Sequence, residues 1–303
     1  MATLQTVKRT STASTANWDS TFPKEIESEK NSAIFVHRFI NITAAFILDK
    51  RGLLEDKCFK TRNIEKLQMP TFCKDHPISA RLKEKIDALK EAINNKYLLE
   101  FAVVFYRKPD EEDIIEVYSF RLAYGSGGEI SLSLDTGLGS EANSQNLTTA
   151  TFSDLTTTKK YFVDTIRKLH RCIKHLDSFP EETDASFRIA FTEHTPKDYM
   201  PKGFDESDKF YKITPEVTRD QFGILCGKYH KLQLLAASQC WKAGSDLNKT
   251  MDSSLNQSIF EPAATTSKAP PSKGAEKKAE RTGRHFPYGK SATMRSSGTT
   301  SCS

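Results

Sequence analysis

At 303 residues with 37% hydrophobic and 27% charged content, the chain predicts a soluble protein with room for one sizeable core or two small ones. No apolar run approaches the roughly 20 residues needed to cross a bilayer; the longest, Ala44-Ala45-Phe46-Ile47-Leu48, is closed by Asp49-Lys50-Arg51. The net charge of +5 divides into +6 on residues 263–303, where eight bases face only Glu276 and Glu280, and −1 on residues 1–262, so the basic balance does not mark the folded part as a nucleic-acid binder.

In chain order, residues 1–17 are rich in Thr and Ser and lack the apolar stretch of a secretory signal, which predicts a flexible arm on an intracellular protein. The six cysteines are far apart, with no Cys-x-x-Cys pair, and are expected to be reduced. Residues 23–49 open with Glu25, Glu27 and Glu29 and continue through Ile34, Phe35, Phe39, Ile42, Phe46 and Ile47. Acids suit a first helical turn, and the broad apolar surface predicts a central helix buried on most sides. Leu82, Ile86, Leu89 and Ile93 keep a helical period and predict a second, amphipathic helix.

Residues 98–106 read as a strand. Residues 114–124 alternate, with Glu116, Tyr118, Phe120, Leu122 and Tyr124 on one face and Val117, Ser119, Arg121 and Ala123 on the other. A turn at Gly125-Ser126-Gly127-Gly128 leads to Ile130, Leu132 and Leu134, so an antiparallel meander is expected. The clearest helical signal spans residues 155–176. There Phe162, Ile166, Leu169, Ile173 and Leu176 form one face, and Lys160, Arg167, Arg171 and Lys174 form a basic stripe opposite. Residues 186–194 return to strand alternation.

From Thr195 the pattern changes. Pro196, Pro201, Gly203 and Pro215 are interleaved with Tyr199, Phe204, Phe210 and Tyr211. Burying such rings is worth kilocalories each, so this passage predicts an extended strap lying across the domain. A sheet-like run over 222–235 follows. After Ala243 the core formers thin out and residues 244–303 are expected to be disordered, with Leu247, Met251, Leu255 and Ile259 as the pattern of one short docking helix.

Catalytic chemistry finds little support. His170 and His175 lie on different helix faces with no ligand at metal spacing, and both read as solvated. Gly125-x-Gly127-Gly128 joins two strands instead of opening a helix, and no Lys-Ser/Thr follows it. Glu111-Glu112-Asp113 reads as a solvated connection. No metal, cofactor or small-molecule substrate is expected, and no membrane association. The basic stripe fits either a solvated face or a docking site for an acidic protein or nucleic acid.

Four stretches together resemble the HORMA domains, and specifically the meiotic chromosome-axis members of nematodes. They are Glu25-Ile26-Glu27-Ser28-Glu29-Lys30-Asn31-Ser32 with the helix after it; Leu98-Leu99-Glu100-Phe101-Ala102-Val103-Val104-Phe105-Tyr106 running on to Phe120; Lys168-Leu169-His170-Arg171-Cys172; and Thr195-Pro196-Lys197-Asp198-Tyr199-Met200-Pro201-Lys202-Gly203-Phe204. The likeness spans residues 18–243. It implies an α+β fold, a mainly antiparallel sheet backed by three helices, with a C-terminal safety belt over about 195–243 that wraps a short closure-motif peptide. Tyr199, Phe204, Phe210 and Tyr211 would then be belt residues.

Axis members commonly carry a closure motif in their own tails, and Arg284-His285-Phe286-Pro287-Tyr288-Gly289-Lys290 resembles one, giving a candidate motif over about 284–295 centred on Phe286, Pro287, Tyr288 and Gly289. About forty residues of flexible chain reach roughly 35 Å, which allows capture by the same molecule or by a neighbour. The resemblance implies a non-enzymatic nuclear adaptor on meiotic chromosomes. It would bind the closure motifs of other HORMA axis proteins, self-associate, and serve synaptonemal complex components, homologue pairing, synapsis and crossover formation. The chromatin module of fungal and plant relatives has no counterpart spacing in this tail, so chromatin association is expected to be indirect. A checkpoint or repair adaptor, or a nucleic-acid binder using the basic helix and tail, is the alternative.

Overall fold

Ser28 sets the start of the central helix. Its side-chain oxygen accepts the Asn31 N–H at 3.2 Å, and helix α2 runs Glu29–Lys50. The computed structural model describes residues 18–125, 152, 154–207, 210–211, 218–240 and 291–293. A single turn, α1 (Trp18–Thr21), precedes α2 and buries Trp18 against Phe22, Phe35 and Phe162. Glu25 and Glu27 therefore lie on the exposed approach to the helix instead of within it, with Ile26 buried between them. Contrary to the sequence reading, α2 has the length and apolarity of a bilayer span; in this fold 72% of its most apolar stretch is buried inside the domain.

After α2 comes a hairpin that the sequence reading missed, β1 (Phe59–Ile64) and β2 (Leu67–Phe72), turned through left-handed Glu65 and Lys66. Helix α3 (Pro77–Asn94) begins earlier than its apolar period, with Pro77 in the first turn, where a missing N–H is harmless. Strands β3 (Leu98–Arg107) and β4 (Ile114–Tyr124) pair antiparallel. Helix α4 (Leu155–Lys174) is capped by Asp154, whose carboxylate accepts the Thr157 N–H at 2.6 Å. Then follow β5 (Thr183–Phe191), β6 (Asp205–Ser207), β7 (Thr218–Cys226), β8 (His230–Ser238) and β9 (Ser291–Thr293).

The large sheet has the order β6-β9-β5-β3-β4-β8-β7. Strand β4 lies between β3 and β8; its antiparallel pairing with β3 is the first part of the expected meander, and residues 130–134, read as the continuation, lie outside the described residues. The run predicted over 222–235 is two strands, β7 and β8, with the Gly227 N–H donating to the His230 carbonyl at 2.8 Å across the turn. Strand β5 ends at Phe191, and residues 192–195 form a turn closed by the Thr195 N–H on the Thr192 carbonyl.

One face of the sheet carries the core. Phe101, Phe105, Tyr118 and Phe120 pack with Phe39 of α2 and Phe162, Ile166 and Leu169 of α4. The predicted apolar stripe of α4 is buried throughout, and Lys160, Arg167, Arg171 and Lys174 are exposed. His170 departs from its solvated reading: it is half-buried, with its ring edge-on to Phe46 at 5.8 Å. Cys58, Cys73, Cys172, Cys226 and Cys240 are free thiols.

Two buried polar contacts tie α2 to the sheet. At its C-terminal end, Arg51 Nε donates to Glu116 Oε1 at 2.8 Å, Nη2 donates to the Asp177 carbonyl at 3.0 Å, and the guanidinium lies 3.9 Å from the Phe179 ring centre. Burial pushes the Glu116 carboxyl up, and Arg51 and the Ser238 hydroxyl act against that shift. At the other end, His230 Nδ1 lies 2.9 Å from Ser32 Oγ. Burial lowers this imidazole to about 4.

The unfolded chain takes up the proton on His230 near pH 6.5 and the folded chain only near pH 4, so the contribution is complete above 6.5 and is lost as pH falls toward 4. We expect about 3 kcal/mol of acid-dependent stability from this residue. Urea melts between pH 7 and 4 should show a shallower pH slope for His230→Asn than for the parent; equal slopes would assign the acid sensitivity elsewhere.

Candidate peptide-binding edge and strap

Strand β9 comes from the far C-terminal part of the chain, yet it sits inside the sheet. Its register sets Ser291, Ala292 and Thr293 against Ala190, Ile189 and Arg188 of β5 on one side, and against Ser207, Glu206 and Asp205 of β6 on the other. Both pairings are antiparallel. A peptide held this way gains main-chain hydrogen bonds along both edges, with little demand on its side chains.

The segment that leaves β5 returns to pair with this strand through β6. Its first part docks beside α3: Tyr199 packs on Tyr97 and Phe191 at 5.0 and 5.8 Å between ring centres, Phe204 enters the main core, and Lys202 pairs with Glu84. Gly203 has φ +85 and lies against Lys85, a left-handed position that a side chain would strain. The segment then forms β6 at one edge of the sheet. Phe210 and Tyr211 follow on the face opposite the helices, over Ala102, Val104, Ile114, Val117 and Ala237, and β7 closes the path at the other edge. The four aromatic residues read from the sequence are thus not one cluster. Tyr199 and Phe204 anchor the strap on the core side, and Phe210 and Tyr211 seat it on the open face.

That seat is fastened by polar groups that the sequence reading passed over. Arg188, 3% exposed, donates through Nη1 to the Phe210 carbonyl at 2.7 Å, through Nη2 to the Glu111 carbonyl at 2.6 Å, and through Nε to Ser186 Oγ at 3.1 Å. The Tyr211 hydroxyl donates to Glu100 Oε1 at 2.5 Å, where Ser119 Oγ also donates, and Arg121 Nε donates to Glu100 Oε2 at 3.0 Å. Burial and then the Glu100 charge push the Tyr211 phenol up, which keeps it a donor. The sequence signal was the pairing of Glu100 with Arg121 on the face shared by Val117 and Ser119, an acid and a base at interior positions of apolar strands.

Of the remaining predicted sites, Phe286, Pro287, Tyr288 and Gly289 lie outside the described residues, as do Leu247, Met251, Leu255 and Ile259. The tail strand that is described, Ser291–Thr293, falls within the predicted 284–295 window but beyond its aromatic pair. On α4, Arg167 lies 4.0 Å from Asp164, and the exposed stripe faces away from the strap's aromatic seat. Among the described residues no group of three or more His, Cys, Asp and Glu could hold a metal ion.

A family model for the HORMA domain matches residues 32–230. The chain belongs to the HORMA domain family. The HORMA domain-containing protein 1 of Rattus norvegicus is 28% identical over 212 residues, 69% of this chain and 50% of the relative, so the match spans about half the length of that protein. The HORMA domain-containing protein 2 of Mus musculus is 24% identical over 245 residues, covering 79% of this chain and 77% of the relative. Among solved structures, Caenorhabditis elegans HTP-1 bound to the HIM-3 closure motif aligns with a TM-score of 0.68 at 23% identity, over 74% of this chain and 97% of that one. This likeness shows a shared HORMA fold, with the antiparallel sheet and backing helices expected from the sequence.

Proposed function

We propose that this HORMA protein is a non-enzymatic adaptor of the meiotic chromosome axis, which grips closure-motif peptides of partner axis proteins under the 195–243 belt and offers a motif in its own tail. The observation that carries the reading is the position of Ser291–Thr293, paired on both edges between β5 and β6. A peptide so enclosed leaves only when the strap opens, so the belt acts chiefly on the dissociation rate. The meiotic-axis setting rests on the HORMA domain-containing relatives and on fold neighbours solved with closure motifs. On this reading the protein works in the nucleus on meiotic chromosomes, joins other HORMA axis proteins and further copies of itself, supports synaptonemal complex assembly, pairing and crossover formation, and meets chromatin indirectly.

Deleting residues 282–297 is expected to abolish capture of the tail by related HORMA domains in a pull-down, with cooperative unfolding retained. Unchanged capture would remove the tail motif from the proposal. Phosphorylation offers a finer probe. A phosphate on Thr293 brings up to about two negative charges to the register position opposite Asp205 of β6, and one on Ser291 puts them in the same paired segment. We expect a phosphorylated tail peptide to bind about tenfold or more weakly in an anisotropy titration; equal affinity would place the motif elsewhere in the tail.

The exposed stripe of Lys160, Arg167, Arg171 and Lys174 favours a second reading, in which α4 touches nucleic acid by charge. Charge reversal at these four positions should then flatten a steep salt dependence of DNA binding.

A further inference from the structure

The strongest concentration of unused chemistry lies away from the strap, in an open cleft of about 810 Å³ between α2, α3 and the β1–β2 hairpin, with the end of α1 at its rim. Its walls carry Arg38 from α2, Lys60 and Arg62 from β1, Lys74 from the loop after β2, and Lys83 and Lys90 from α3. Only two acids line it, Asp75 and Asp87, and both are already engaged, Asp75 by Lys60 at 2.6 Å and Asp87 by Lys83. Arg62, Lys74 and Lys90 form no ion pair among the described residues and are exposed. Arg38 spends one N–H on the Thr21 carbonyl at 2.7 Å, which leaves the rest of its guanidinium toward the opening.

The floor is not a bare charged surface. Ile34, Ile42 and Phe72 supply apolar area, and Asn41 sits among them. Among the described residues, the Thr21 hydroxyl, on a residue 8% exposed, has no hydrogen-bond partner. An uncompensated buried hydroxyl costs free energy unless something meets it.

We propose that this cleft is a docking site for an acidic peptide segment of a partner protein, separate from the closure-motif edge. Six cations against two paired acids call for an anionic occupant. The charges line the walls of a recess instead of a convex stripe, so a narrow chain reaches them while duplex DNA would meet only the rim. The apolar floor suits a peptide, whose side chains can cover it while its acids meet the walls. This inference stands on the cleft alone and does not depend on the belt reading.

The test uses the full chain and a short fluorescein-labelled peptide of alternating Glu and Ser, with an all-Ser peptide and a duplex DNA as comparison probes. Anisotropy should report saturable binding of the acidic peptide, weakening as salt rises, and none of the all-Ser peptide. Joint substitution of Arg62→Glu, Lys74→Glu and Lys90→Glu should weaken it about tenfold or more, while Arg167→Glu with Arg171→Glu on α4 should leave it unchanged. All three cleft side chains are exposed, and the Gln versions of the same substitutions, with a thermal melt, separate lost charge from lost fold. Equal loss in the α4 variant, no preference for the acidic over the all-Ser peptide, or duplex DNA that outcompetes the peptide at the same residues would each overturn the proposal.

Discussion

Arg188→Met should release a bound closure-motif peptide about thirtyfold faster than the parent, with a much smaller change in the association rate. The arginine holds the strap by its backbone, through the Phe210 carbonyl, and braces that contact on the Glu111 carbonyl. Methionine keeps the aliphatic volume and leaves both carbonyls without their charged donor. Charge-assisted bonds are worth more than neutral ones, and about 2 kcal/mol lost from the closed strap alone gives the stated factor. Because β9 is framed by the strap, the loss reaches the peptide as a lower opening cost. Stopped-flow dissociation of a labelled tail peptide measures it. Tyr211→Phe, which removes only the hydroxyl on Glu100, should act in the same direction by a smaller factor. Unchanged dissociation in both variants would mean that strap opening does not limit release.

Arg51→Met should destabilise the whole domain by about 3–5 kcal/mol. Its side chain is 5% exposed and that of Glu116 is fully buried, so losing the guanidinium strands a carboxylate with neutral hydroxyl donors such as Ser238, at 2.7 Å, in place of a cation. Such a charge is more costly alone than the pair is favourable together. Adding Glu116→Gln to Arg51→Met should therefore recover a large part of the loss, because a neutral amide needs less solvation. Chemical denaturation of the two variants decides it. A double variant no more stable than Arg51→Met would show that the arginine acts through Phe179 and the Asp177 carbonyl instead.

Much of the scaffold could be read from the sequence because its signals are periodic. The α4 stripe from Phe162 to Leu176 is buried as spaced, and the two faces of β4 separate into core residues Tyr118 and Phe120 and open-face residues Val117, Ser119 and Arg121. The β1–β2 hairpin escaped for a physical reason. Lys60, Thr61, Arg62 and Asn63 give no alternation, and Glu65-Lys66 takes a left-handed turn usually signalled by Asn or Gly. The site divides in the same way. The strap's aromatics were visible as buried area in a loop-like passage, whereas Arg188 and Glu100 acquire meaning only from partners 22 and 111 residues away. In the tail, the aromatic pair drew attention, yet the described strand is Ser291-Ala292-Thr293, since a segment paired on both edges is held by its main chain and needs no apolar alternation.

The strand order carries a consequence for the protein when nothing is held. Among the described residues, β6 pairs with β9 and with no other strand, and β5 shares its outer edge with β9 alone. Removing that short segment uncovers the outer edge of β5 along Arg188, Ile189 and Ala190 and leaves β6 without a ladder. Bare edges of this kind are templates for indiscriminate pairing between chains. A tail that fills the gap is thus also a guard on solubility, and an empty molecule would be the aggregation-prone form of the protein.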